Sequence, residues 1–153
     1  MRRKKYNTPQ ALERVLYSPD APERCAALRR ITDREILYYV ASHDACKDVV
    51  VCAVEQMCDE TDLTRVADTH HSHHARLAAV KRVQNQATLR RAVCDDKVEE
   101  VRIAAVKKVT TLGWLDAAVA AEKNERVIAA INLRMVLLEA LDRNLPLDKR
   151  FAV

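Results

Sequence analysis

Residues 99–109 read EEVRIAAVKKV, and the same pattern stands upstream as HHARLAAVKRV at 73–83, KDVVVCAVEQM at 47–57 and PERCAALRRI at 22–31. The aligned alanines are Ala27, Ala53, Ala79 and Ala105, each 26 residues after the last with no gap needed. A fixed period of this size marks a stacked repeat, in which one supersecondary unit recurs and buries its apolar face against its neighbours.

Between these copies runs a second pattern, L-x-x-V-A. It appears as Leu37 with Val40-Ala41, Leu63 with Val66-Ala67, and Leu89 with Ala92-Val93. Leu115 with Ala118-Val119 extends it, and Leu12 with Val15-Leu16 is a first copy one residue out of step. Pairing each such helix with the pattern helix after it predicts about five helical hairpins, at 8–31, 34–57, 60–83, 86–109 and 112–142. Each helix is about ten residues, too short to be stable alone in water, so stability belongs to the stack. Thr8 is expected as the first N-cap, Pro9 suits the first turn, and Asp33 is expected to cap the helix at 34–42.

Small residues come in pairs on the pattern helices: Ala26-Ala27, Cys52-Ala53, Ala78-Ala79 and Ala104-Ala105. They let helix axes approach closely. Leu28, Val54, Val80 and Val106, with Ile31, Met57, Val83 and Val109, are expected to fill the space between. The last copy, Glu125-Arg126-Val127-Ile128-Ala129-Ala130-Ile131, runs on through Leu133, Val136, Leu137 and Leu141, as a longer capping helix would.

Composition agrees with short helices joined by tight turns. The 153 residues include one Gly, one Trp and one Phe, which argues against a loop-rich fold and against a glycine loop for phosphate. Net charge is +4 from 26 basic and 22 acidic residues, an excess that permits an acidic partner without requiring one. No apolar run reaches the roughly 18 residues of a membrane span. The start MRRKKY leads into Asn7-Thr8-Pro9 rather than an apolar segment, so a secretory signal is not expected and a cytoplasmic location is. Cys25, Cys46, Cys52, Cys58 and Cys94 are odd in number and form no CxxC, which reads as reduced thiols.

The segment D-x-x-x-x-V-R-x-A-A-V, spelled in full from Asp96 through Val101-Arg102 to Ala104-Ala105-Val106, resembles the HEAT repeats in their short bacterial form. The likeness covers residues 8–142. It implies an all-α, right-handed α-α superhelix, or solenoid, with the L-x-x-V-A helices outside and the V-R-x-A-A helices lining a concave side. It also implies a ladder between a turn Asp and an Arg six residues later. Here the full pair is Asp96 with Arg102, while Ser18 with Arg24, Asp44 with Val50, His70 with Arg76 and Glu122 with Ile128 depart from it, so the ladder is expected to be mostly broken. Residues 7–12 are also similar to a leucine-rich-repeat variant, whose cysteine-rich iron–sulfur segment has no counterpart in this chain. The domain expected is 8–142, between a basic tail at 1–7 and a C-terminal tail at 143–153.

Two columns follow the A-A-V/L segment: Arg29-Arg30, Glu55-Gln56, Lys81-Arg82 and Lys107-Lys108, basic in three copies of four. At about 10 Å per repeat they would form a basic stripe able to meet phosphates or an acidic protein surface. Cations at helix C-termini also complement the dipole without any partner. The expected role is a non-enzymatic scaffold that binds an acidic protein segment through Arg29, Arg30, Lys81, Arg82, Lys107 and Lys108. The alternative is non-specific nucleic-acid binding through the same residues. Tyr38, Tyr39 and Trp114 fall on the other set of helices, so base stacking is not expected.

His70-His71-Ser72-His73-His74 has spacing that lets two imidazoles meet one metal, but neither Asp68, Asp44 nor Cys46 is assured as a third ligand. No metal, cofactor or small-molecule ligand is therefore assigned. The carboxylates Asp59, Glu60, Asp62, Asp95, Asp96, Glu99 and Glu100 sit at turns and helix starts, where capping explains them without catalysis.

Overall fold

The computed structural model describes the backbone of residues 9–143 and the side chains of 12–142. The expected Thr8 cap, the N-terminal tail and nearly all of the C-terminal tail lie outside these residues. Among the described residues the chain is all-helical. Its ten helices are α1 (Pro9–Tyr17), α2 (Ala21–Leu28), α3 (Arg34–His43), α4 (Lys47–Gln56), α5 (Glu60–Thr69), α6 (His73–Arg82), α7 (Gln86–Asp95), α8 (Glu99–Val106), α9 (Leu112–Ala121) and α10 (Glu125–Arg143). They pair as the five expected hairpins. The fold divides into two compact units, one ending at Asn85 and one beginning at Gln86.

In the first unit α2 packs on α4 and α4 on α6, while α1, α3 and α5 each pack on the helix that follows. The small residues make that layer possible. Ala53 and Ala79 are fully buried and Ala27 nearly so, and Leu28, Val54 and Val80 lie buried beside them. Ala26 is exposed, since among the described residues no pattern helix precedes α2. In the second unit α7 packs on α8, and α10 packs on both α8 and α9. Ala105, Val106, Val109, Leu115, Val127 and Ile131 form its core.

Polar residues fix where helices start and hairpins close. Asp33 caps α3 by accepting the N–H of Glu35 at 3.0 Å and of Ile36 at 3.2 Å. Asp59 does the same for α5, and those backbone donors hold its carboxyl below the usual range. Glu60 at the start of α5 reaches to the end of its hairpin, where Oε1 accepts from the N–H groups of Gln84 and Asn85. Gln86 occupies the equivalent position of α7, and its Oε1 accepts from Thr110 N–H at 3.0 Å. Asp62 is buried and paired with Arg34 at 2.8 Å. The carboxylates at these turns thus serve closure and capping.

Candidate interaction site

Positions 18, 44, 70, 96 and 122 differ in residue type but share one task. Each accepts a hydrogen bond from the backbone N–H two residues on: Ser18 Oγ from Asp20, Asp44 Oδ1 from Cys46, His70 Nδ1 from Ser72, Asp96 Oδ1 from Val98, and Glu122 Oε1 from Asn124. The distances run from 2.8 Å for Asp44 to 3.2 Å for Ser18. A hydroxyl, a carboxylate or a neutral imidazole can each supply the lone pair the turn requires.

The arginine six residues later then braces the turn from below. Arg24 donates to the Ser18 carbonyl at 2.8 Å, Arg76 to the His70 carbonyl at 2.9 Å, and Arg102 to the Asp96 carbonyl at 2.8 Å. The other edge of the guanidinium runs to the acid 20 residues ahead. Arg24 forks onto Asp44 and Arg102 onto Glu122, each through Nε at 2.8 Å. The breaks expected at Ser18 and Glu122 do not occur, because the ionic partner of Arg24 and of Arg102 comes from the next repeat and not from its own. Burial raises the Glu122 carboxyl, but the N–H groups of Asn124 and Lys123 and the Arg102 guanidinium outweigh it and hold it low.

The interruption in the first unit lies at Val50 and His70. Val50 takes an arginine position and is buried, so no guanidinium reaches forward to residue 70. His70 is correspondingly an uncharged turn acceptor where Asp44 and Glu122, which receive a forward guanidinium, are carboxylates. It is 5% exposed and stacks on His71 at 4.5 Å, and its buried Nε2 makes no hydrogen bond of ordinary geometry. Burial, then the neighbouring His71, push its pKa below the ordinary 6.5. His73 and His74 stand apart at the start of α6 with their rings 3.9 Å from one another. Among the described residues no three potential metal ligands come together.

Against this structural use of arginine, the basic columns divide. Arg82 is half-buried, and its Nη1 donates to the carbonyls of Val54, at 2.8 Å, and Glu55 at the end of α4. Arg134, two periods further on, donates to the Val109 carbonyl at 2.9 Å, three residues past the end of α8. Arg82 therefore ties one helix end to another. Arg29, Arg30 and Lys81 in the first unit and Lys107 in the second are exposed, and Lys108 is half-buried. Glu55 stands exposed at the repeat position between Arg29 and Lys81, so the first unit presents plus, minus, plus along its packed layer.

The aromatic residues carry intramolecular partners on the odd-numbered helices. Arg65 lies 4.0 Å over the Tyr38 ring and Arg90 5.5 Å from the Trp114 centroid. The thiols are unpaired. Cys52 donates to the Cys25 carbonyl at 3.5 Å, and burial above all raises its pKa to about 11. A thiol so protonated is a packing group rather than a nucleophile. No helix among the described residues is long and apolar enough to cross a membrane.

Comparison of the chain with protein-family models, with curated proteins and with solved structures found no match.

Proposed function

We propose that the chain is a non-enzymatic scaffold of HEAT-like repeats, continuing as a right-handed superhelix in the cytoplasm, that binds an acidic segment of another protein. The observation carrying this reading is the exposure of Arg29, Arg30 and Lys81 at equivalent ends of packed helices in a molecule that commits Arg24, Arg82, Arg102 and Arg134 to its own carbonyls and acids. Lys107 and Lys108 continue the same columns in the second unit. Alternation with Glu55 favours a peptide of mixed polarity over a uniform polyanion, because a phosphate backbone would meet like charge at every such position.

The test uses a fluorescent acidic peptide of about twenty residues, with glutamates interspersed among lysines and serines, beside duplex and single-stranded DNA of similar length. Wild type is compared with a variant carrying Arg29→Glu, Arg30→Glu, Lys81→Glu and Lys107→Glu, with Arg82 left intact. Peptide binding that the variant loses by at least about tenfold supports the proposal. Tighter binding to DNA with a steep salt slope transfers the same residues to nucleic-acid contact. Absence of binding to every probe at low salt overturns both.

A further inference from the structure

Helix α10 is apolar on two sides. One face, formed by Val127, Ile131 and the half-buried Leu138, packs inward where α10 meets α8 and α9. A second side carries Ala129, Leu133, Val136, Leu137, Ala140 and Leu141, all exposed. Leu133 is 62% exposed, Val136 61%, Leu137 47% and Leu141 61%. Their spacing, at i, i+4, i+7, i+8, i+11 and i+12, places them along one side of a 3.6-residue helix, and the stripe itself carries no charge.

Its length matters as much as its composition. α10 has 19 residues, whereas α8 has 8 and α9 has 10. At about 1.5 Å per residue its second half runs on beyond what helices of that length can line.

We infer that this stripe is a self-association surface, on which a second copy of the chain lays its own α10 antiparallel. An uncharged stripe is complementary to itself, and a two-fold contact satisfies both copies with one set of residues. Leu133, Leu137 and Ala140 follow the four-then-three spacing of a coiled-coil seam, with Val136 and Leu141 beside it. With Leu137 near the two-fold axis, Leu133 of one copy meets Leu141 of the other, and the small Ala140 allows close approach. The stripe presents on the order of 500 Å², the upper end of what a lone monomer exposes. Two copies bury about 1,000 Å² together, the lower limit of a specific interface, so the dimer is reversible and concentration-dependent. None of these residues belongs to the basic columns, so the inference stands apart from the proposed acidic partner.

Sedimentation velocity of the full chain from about 1 to 200 μM spans the range in which an interface of this size associates. The wild type is expected to move from monomer to dimer mass across that range. Leu133→Glu with Leu137→Glu is expected to stay monomeric with unchanged melting temperature and helical circular dichroism, since both positions are exposed. A wild type that stays monomeric throughout overturns the inference. So does a dimer indifferent to the two glutamates, or a wild-type monomer that dimerises only after residues 144–153 are removed, which would make the chain's own last residues the cover.

Discussion

Arg24 of α2 forks onto Asp44 in the turn before α4, with Nε to Oδ2 at 2.8 Å and Nη2 to Oδ1 at 3.0 Å. The side chains are 14% and 10% exposed, and the carboxylate raises the pKa of the arginine by hydrogen bonding more than burial lowers it. Because the same guanidinium also holds the Ser18 carbonyl, one side chain joins two successive turns. Removing either partner leaves a half-buried charge without its counterion. Arg24→Ala or Asp44→Ala should each cost about 2 kcal/mol, between the values for exposed and buried pairs. Urea unfolding of the singles and the double gives their coupling, and a coupling near zero would show that the rung is ornamental.

The interrupted rung makes a sharper case. His70→Asp alone places a carboxylate at a buried turn that no guanidinium reaches from position 50, only Arg76 lying beside it, and should destabilise by about 2–3 kcal/mol. Val50→Arg alone buries an unmatched cation and should do the same. Together they rebuild the arrangement seen at Arg24 and Asp44, so the double variant should be more stable than the sum of the singles by at least about 1 kcal/mol. Strict additivity in chemical denaturation would count against this reading of the ladder.

Acid should weaken the histidine turn. His70 has a folded pKa below 6.5, so as pH falls through 6.5 the unfolded chain takes up a proton that the folded chain refuses. The contribution is present in full above that value and is lost as pH falls toward the folded pKa, at up to about 1.4 kcal/mol per pH unit. Protonation at Nδ1 would also end the bond from Ser72 N–H and set a cation beside His71 and Arg76. Urea melts at about pH 7.5 and 5.5 should differ less in His70→Gln, which keeps a neutral acceptor, than in wild type. An equal difference in both would relocate the pH dependence.

Core packing and helix-end bracing give two independent checks. Ala105 is fully buried between apolar neighbours, so Ala105→Leu should lower stability by about 1–3 kcal/mol through overpacking. An unchanged melting curve would remove Ala105 from the close-packed layer.

Arg82→Ala should cost about 1 kcal/mol by freeing the end of α4, while Lys81→Ala should stay within about 0.5 kcal/mol. The reverse order would restore Arg82 to the exposed binding columns.

Much of the architecture was legible in the residues. The 26-residue spacing of Ala27, Ala53, Ala79 and Ala105 gave ten helices and five hairpins at the expected places, because helix period and close approach are local properties of a repeat. Asp33 was legible as a cap for the same reason. The site was less so. Arg82 and Lys81 are neighbours of like charge, and only the position of the α4 carbonyls separates the brace from the exposed cation.

The sequence by itself determined which residues repeat, and thereby the helices and their buried sides, since burial follows a periodic pattern that one chain carries within itself. Tertiary structure decided who partners whom. Ser18, Asp44, His70, Asp96 and Glu122 look like a decayed motif in sequence, yet all five accept the same backbone N–H, because a turn selects for a lone pair at a point in space. It also decided that Leu133 and Leu137 face outward while Ile131 faces the core, a choice made by where α8 and α9 end and not by hydrophobicity, which is the same on both sides of α10.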